Sequence, residues 1–581
     1  MDIGELLDYK PANTPKRPLP EEEVNQIQEN ETDYERQKKL RRLAKHRVQQ
    51  IEKQEQERLK AEHERLAEEQ RLKQERQDMV QKLVDENLAD ADDGVLDEAA
   101  LKRMILLFEK KVLKNQEMRI KFPENPEKFM ESEIELHDIL TEMHAIATVP
   151  DLYPILVNLK AVVSLLELLS HENTDIAVAV VNLLQELTDL DSLNENEEGT
   201  EILIDALLSK QICALLVQNL ERLDESVKEE ANGVHTTLGI FENIMELRPD
   251  IVVDVGKQGL IQWLLKRIKA KMPYDGNKLY SSEILSILLQ NNEDNRALVG
   301  EIGGIDNLLQ QLAYYKRHDP ASPDEQEMME NLFDCLCSCL MDKQNRDRFL
   351  KGEGLQLMNL ILREKKLSRN GSLKVLNHAL SGPQGKDNCN KFVDILGLRT
   401  IFPLFMKTPK KNRKRMLSTE EHEEHVISII ANMLRNCRGT QRQRLMTKFV
   451  ENDMEKVDRL MELHFKYMEK VEIIDAEIDE KSTGEEDEDE IYLKRLNGGL
   501  FSLQLIDYII LEVCNSGPNI KKRVTHILNM RGGTLKTIRQ IMREYAGNLG
   551  EDGDKEWQEQ EQRHILKMVI KNGRNKSNVI Y

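Results

Sequence analysis

The strongest constraint in this chain is an asparagine placed nine residues ahead of a glycine, with a leucine-rich run directly behind it. From Asn295 the sequence reads "NRALVGEIGGIDNLLQQL", from Asn345 "NRDRFLKGEGLQLMNLIL", and from Asn388 "NCNKFVDILGLRTIFPLF". Nine residues make about two helical turns. An amide that caps the start and a glycine that turns left-handed at the end would bracket such a helix. The run behind it reads as a second helix with one apolar face.

Weaker copies extend the pattern towards the N-terminus. Asp250 precedes Gly259 in "DIVVDVGKQGLIQWLLKRI", Glu201 precedes Lys210, and Asp151 precedes Lys160. The second positions therefore fall at 160, 210, 259, 304, 354 and 397. A further helical run lies between copies, as in "IAVAVVNLLQEL", "GVHTTLGIFENIMEL" and "YSSEILSILLQ". Three helices per forty-odd residues is the armadillo or HEAT period, and a unit that short buries its apolar face only against its neighbours. The expected fold is all-α: a right-handed superhelical solenoid of about seven to nine units over residues 96–548. An acidic loop insertion is expected at 475–490 and a C-terminal tail at 549–581. Ahead of the array, residues 1–30 read as a disordered tail. Residues 31–95 read as a long charged helix, either solvated or paired as a coiled coil, since glutamate, lysine and arginine recur there at helical spacing.

The charge balance narrows the partners. With 83 Lys and Arg against 104 Asp and Glu, the net charge is −21, which opposes general binding to nucleic acid. The opening residues lack a signal-peptide core and no segment reads as a membrane span, so no membrane partner is expected. Seven cysteines spread over 581 residues do not make a disulfide framework.

Residues that could carry chemistry are few. "CLCSCL" sets Cys335, Cys337 and Cys339 two apart on a helix, which sends successive thiols to different sides, whereas zinc sites need converging ligands. His422 and His425 in "EHEEH" are three apart and miss the zincin spacing of four. "DLDSLNENEE" departs from a calcium loop at Leu193 and Asn194. No phosphate loop, nucleophile elbow or kinase signature is present. The chain is expected to be a binding protein with no catalytic residue, cofactor or metal.

Basic runs point to transport. Lys16 and Arg17, followed by Lys38, Lys39, Arg41 and Arg42, form a candidate nuclear localisation signal. A second cluster, Lys410, Lys411, Arg413, Lys414 and Arg415, follows Pro409 on an expected loop.

Several long stretches go beyond a generic repeat: "NQEMRIKFPENPEKFMESEIELHDIL", "LLQELTDLDSLNENEEG", "RFLKGEGLQLMNLILREKK" and "ENDMEKVDRLMELHFKYM". In these the chain resembles the beta-catenin-like family of nuclear armadillo proteins, over roughly residues 95–545. The resemblance implies a nuclear scaffold of the Prp19-associated splicing complex. It also implies binding of basic, import-signal-like segments in splicing proteins, and self-association into homodimers. An import receptor would be met through the N-terminal signal. The N-terminal hundred residues lie outside the resemblance.

The same architecture allows a rival reading, an importin-alpha-like adaptor for basic cargo. Such adaptors grip lysine stems with a ladder of tryptophans, and this chain has only Trp263 and Trp557. Basic segments would instead meet acidic side chains on the third-helix runs, for which Glu186, Asp189, Glu229, Glu230, Glu242, Glu246 and Glu330 are the candidates.

Overall fold

Two compact units divide the chain, Met1–Asp93 and Gly94–Tyr581. The computed structural model describes residues 96–189, 197–269, 271, 274–409, 418–481, 488–549 and 555–573, all in the second unit. The N-terminal tail, the charged helix with its basic signal and the 410–415 cluster lie outside the described residues. Within them every regular element is helical.

A series of helices among the described residues carries the architecture. They are α1 (Glu98–Lys121), α2 (Pro126–Glu142), α3 (Thr174–Leu187), α4 (Lys228–Leu247), α5 (Gly276–Leu289), α6 (Pro323–Cys339), α7 (Arg369–Leu380), α8 (Thr419–Asn436), α9 (Glu451–Lys481), α10 (Phe501–Ser516) and α11 (Lys555–Gly573). Their starts are written locally. Asn173, Asp275 and Ser322 cap α3, α5 and α6, and Ser418 with Glu421 forms a capping box on α8. Helices α1 to α8 stack in chain order, each against the next, and α10 packs on α8. α3 to α8 are the third helices of successive units. One continuous core runs from Leu101 to Val569.

Between the third helices sit the pairs announced by the asparagine–glycine spacing, such as Glu293–Glu301 with Gly304–Leu312 and Lys343–Lys351 with Gly354–Arg363. The pairs are as expected, but the physical roles of the two marker residues are different. The caps are Asn292 and Asp342, three residues earlier than Asn295 and Asn345. Asn295 and Asn345 are fully buried inside their helices and bridge repeats. The Asn345 amide donates to Arg296 O at 2.7 Å, one unit back, and to Cys339 O at 3.2 Å. Asn295 donates likewise to Val252 O at 3.1 Å and Leu288 O at 2.9 Å. The residue after each asparagine closes the end of the preceding third helix: Arg296 Nε donates to Leu289 O, Arg346 Nε to Leu340 O, and the Cys389 thiol to Leu380 O. A cation there also suits the helix C-terminus.

The left-handed residue is the one at or beside the second marker. Lys160, Gln211, Gly259, Gly303, Glu353 and Leu396 all have φ between 58° and 111°. Gly354 is needed instead for closeness, because a Cβ there would sit 2.3 Å from the Phe349 ring.

Two expected boundaries move. Helix α9 continues through Lys481 and another begins at Glu488, so only 482–487 of the expected 475–490 loop lies outside the described residues. An ion pair from Arg495 to Asp475 at 2.8 Å ties the two sides together. The expected tail contains α11, whose Ile565, Met568 and Val569 are buried against the array. Residues Glu488–Ser516 are also long and apolar enough to cross a membrane, at mean hydropathy 1.3, contrary to the sequence expectation. That apolar window is 72% buried within the fold, and residues 502–514 are core on every side.

Candidate protein-binding face

The outward sides of the third helices form a polar strip across the units. On α3, Glu186 is half-exposed and holds His144 Nδ1 at 2.7 Å, and Asp189 follows just beyond the helix end. On α4, Glu229 and Glu246 are exposed. Glu230 is half-buried and committed to the fold, accepting from Thr174 Oγ1 at 2.9 Å and from Asp224 N at 2.6 Å. Glu330 on α6 accepts from Gln326 at 2.9 Å.

Glu242 belongs to a tighter group. Its carboxylate accepts from the hydroxyl of Tyr280 on α5, and the Tyr280 ring lies 4.9 Å from that of His235. Glu283, one turn on from Tyr280, is half-buried between two helices that each bring a carboxylate. Burial raises its pKa first, and Glu327 on α6 and Glu242 on α4 raise it further. Among the described residues neither Glu283 nor Glu327 has an ion-pair partner. Three successive third helices thus place unneutralised carboxylates side by side. Such a group favours any cation that enters, because the cation relieves repulsion already present.

Further along, the strip loses its surplus charge. Lys374 on α7 pairs with Asp334 on α6 at 2.6 Å, and His378 and His425 follow on α7 and α8. Burial lowers both histidine pKa values, His425 to about 4. Glu423 is buried and already engaged by Lys466 at 2.7 Å, Tyr467 at 3.0 Å and Arg459 at 3.3 Å. The acidic surplus therefore sits on α4 to α6. Of the sequence candidates only Glu242 falls within the mutually repelling group, and Glu283 and Glu327 were missed. Their signal was present: Glu283 is the lone charge in "YSSEILSILLQ", and Glu327 lies one turn before Glu330.

The tryptophan ladder of an import adaptor has no counterpart. Trp263 is buried in a second helix, and Trp557 sits on α11. All seven cysteines are free and buried, with Cys335, Cys337 and Cys339 in the core of α6. Among the described residues no cluster of His, Cys, Asp or Glu could hold a metal ion.

Residues 78–543 match the family described as "Catenin-beta-like, Arm-motif containing nuclear". The chain belongs to the catenin-beta-like family. Beta-catenin-like protein 1 of Mus musculus and that of Homo sapiens are each 62% identical to it over 484 residues, covering 82% of this chain and 86% of theirs. The beta-catenin-like protein 1 homolog of Schizosaccharomyces pombe is 32% identical over 478 residues, covering 81% of this chain and 83% of its own. A designed armadillo repeat protein of known structure aligns over 53% of this chain and 99% of its own, at 11% identity and a TM-score of 0.31. The catenin-beta-like match covers α1 to α10 and stops short of α11, and it agrees with the armadillo architecture built above from the helix packing.

Proposed function

We propose that this catenin-beta-like chain is a non-enzymatic nuclear scaffold of the splicing machinery that holds lysine- and arginine-rich segments of partner proteins on its third-helix face. The observation that carries the reading is the carboxylate group Glu242, Glu283 and Glu327, spread over three consecutive third helices without cations of its own. Charge brings the segment in, and exposed backbone and polar groups of the strip set its register, since no tryptophan slots exist to clamp the stems. Nuclear entry runs through Lys16, Arg17, Lys38, Lys39, Arg41 and Arg42, with 410–415 as the second cluster.

The test is a titration of the full chain with a fluorescent basic peptide. Reversal of Glu242, Glu283 and Glu327 to lysine weakens binding by about tenfold or more, while reversal of Glu488, Asp489 and Glu490 leaves it nearly unchanged. Equal losses from both triples would reduce the effect to net charge. A pull-down from nuclear extract then separates a coherent splicing set from a mixed set of import cargo. Alanine at the six N-terminal basic positions lowers nuclear accumulation of a fluorescent fusion. Unchanged accumulation would reassign entry to 410–415 or to a partner.

A further inference from the structure

Helix α11 does more than close the core. Between it, α8, α10 and the first turn of Lys386–Asp394 lies a cavity of about 700 Å³. Its floor is a neutralised polar knot. Glu512 accepts from Arg442 Nη2 at 2.6 Å and meets His564 Nε2 at 2.6 Å. Arg435 is held by Glu561 at 2.9 Å and by the Tyr545 hydroxyl at 2.8 Å, with its guanidinium 4.4 Å from the centre of the Tyr508 ring.

Among the described residues Glu512 and Glu561 are the only carboxylates lining the cavity, and these contacts use both. Four further cations line it: Lys386, Arg438, Arg563 and Lys567. Lys386, Arg438 and Lys567 have no carboxylate partner among the described residues. Arg563 has only Glu559 one turn away, in a pair more than three-fifths exposed on both sides, which neutralises little. The surplus is unexpected in a chain of net charge −21. It is drawn from three separate elements facing one space, which a run of solvated lysines on a single helix would not produce.

We propose that this cavity binds a small soluble ligand carrying several phosphate groups. Guanidinium forks pair with phosphate oxygens two at a time, and the two lysines add point charges from separate helices. Four surplus cations around one half-open cavity need several negative charges in a compact body, which a single carboxylate does not supply. Trp557, with Pro383 and Leu434, forms the apolar part of the wall, suited to the carbon frame of such a ligand. A long nucleic acid fits less well, because the rest of the acidic surface would repel it. The site lies on α8, α10 and α11, away from the α4–α6 carboxylates, and does not depend on the function proposed for them.

The experiment is calorimetric titration of the full chain with myo-inositol hexakisphosphate at physiological ionic strength, with tripolyphosphate, inorganic sulfate and a short RNA as parallel probes. Saturable one-site binding of the hexakisphosphate is expected, much tighter than sulfate. Arg563→Gln with Lys567→Gln weakens it by about tenfold or more. Both positions are exposed, so the fold is retained, and an unchanged melting temperature without ligand confirms it. Lys386→Gln, on a different element, gives an independent loss should the α11 variant undock. Lys110→Gln with Lys121→Gln, both exposed on the remote helix α1, leaves binding intact. No saturable binding, equal loss in the remote variant, or tighter binding of the RNA at the same site would each overturn the proposal.

Discussion

A Cβ built on Gly300 would lie 1.7 Å from Oδ1 of Asn345, so the buried amide of one repeat occupies room left by the missing side chain of the repeat before it. The same fit recurs one unit earlier, where a Cβ on Gly256 would lie 2.3 Å from Asn295 Oδ1. Each asparagine spends its two N–H donors on carbonyls at the junction. Glycine and asparagine thus act as one lock between units.

Gly300→Ala should therefore cost about 2–4 kcal/mol, from overpacking and from the displaced Asn345 hydrogen bonds together. Gly303→Ala is the control. It has φ +79° but nothing within 4 Å of the built Cβ, so only the left-handed backbone is penalised, at about 1 kcal/mol. In a repeat array the damage stays near its junction. Hydrogen exchange should accelerate across 293–351 before the rest in Gly300→Ala, and uniform acceleration would show that the junctions do not open separately.

The docking of α11 rests on a buried charge. Arg435 and Glu561 have side chains only 10% and 9% exposed, and Tyr508 and Tyr545 enclose the guanidinium. Removing one partner leaves a buried charge uncompensated, which typically costs about 3–5 kcal/mol. Glu561→Ala should release α11, seen as rapid proteolysis within 555–573 at temperatures where α1 to α8 resist. Persistent protection would mean that Ile565, Met568 and Val569 hold the helix by apolar contact alone.

Acid sensitivity should have a component from His425. Burial first, then His378 and Lys374, hold its pKa down to about 4, with Glu421 opposing and Asn377 at 3.2 Å from Nδ1. A histidine whose folded pKa lies below its unfolded value binds fewer protons when folded. Its stabilising effect is complete above the unfolded value of about 6.5 and is lost as pH falls from there towards 4. His425→Gln should flatten the fall in melting temperature between pH 6.5 and pH 4 relative to the parent chain. An identical slope would assign the acid response to other groups.

The fold was legible because each unit repeats one hydrophobic problem, and six copies of a spacing average out local ambiguity. What the markers do physically was not legible. A buried asparagine and a helix cap use the same residue type, and only the neighbouring unit shows that Asn345 reaches back to Arg296 O. Helix α11 escaped for a related reason: "KEWQEQEQRHILKMVI" is largely polar, and its few apolar residues matter only once α10 and the helix Leu535–Gly547 offer them a surface. The acidic face was half legible. Counting carboxylates on third-helix runs finds Glu242 but cannot separate it from Glu230, which is taken up by Thr174 and Asp224.

The same distinction leads to a trade between stability and binding at Glu283. Its pKa is raised by burial and by Glu327 and Glu242, so its ionised form is disfavoured in the free fold. For a carboxyl whose folded pKa lies above the unfolded one, ionisation destabilises the folded state, and the effect is complete above the raised pKa. Glu283→Gln should then raise the melting temperature while it weakens a basic peptide. A bound cation reverses the balance by favouring the ionised carboxylate, so peptide affinity in the parent chain should fall as pH drops towards the raised pKa. That fall should begin at a higher pH than in Glu283→Gln. Affinity should also drop steeply with salt, because exposed charges are screened over about 8 Å at physiological ionic strength. A variant that gained stability and kept full affinity would remove Glu283 from the binding face and leave it as an ordinary cost of burial.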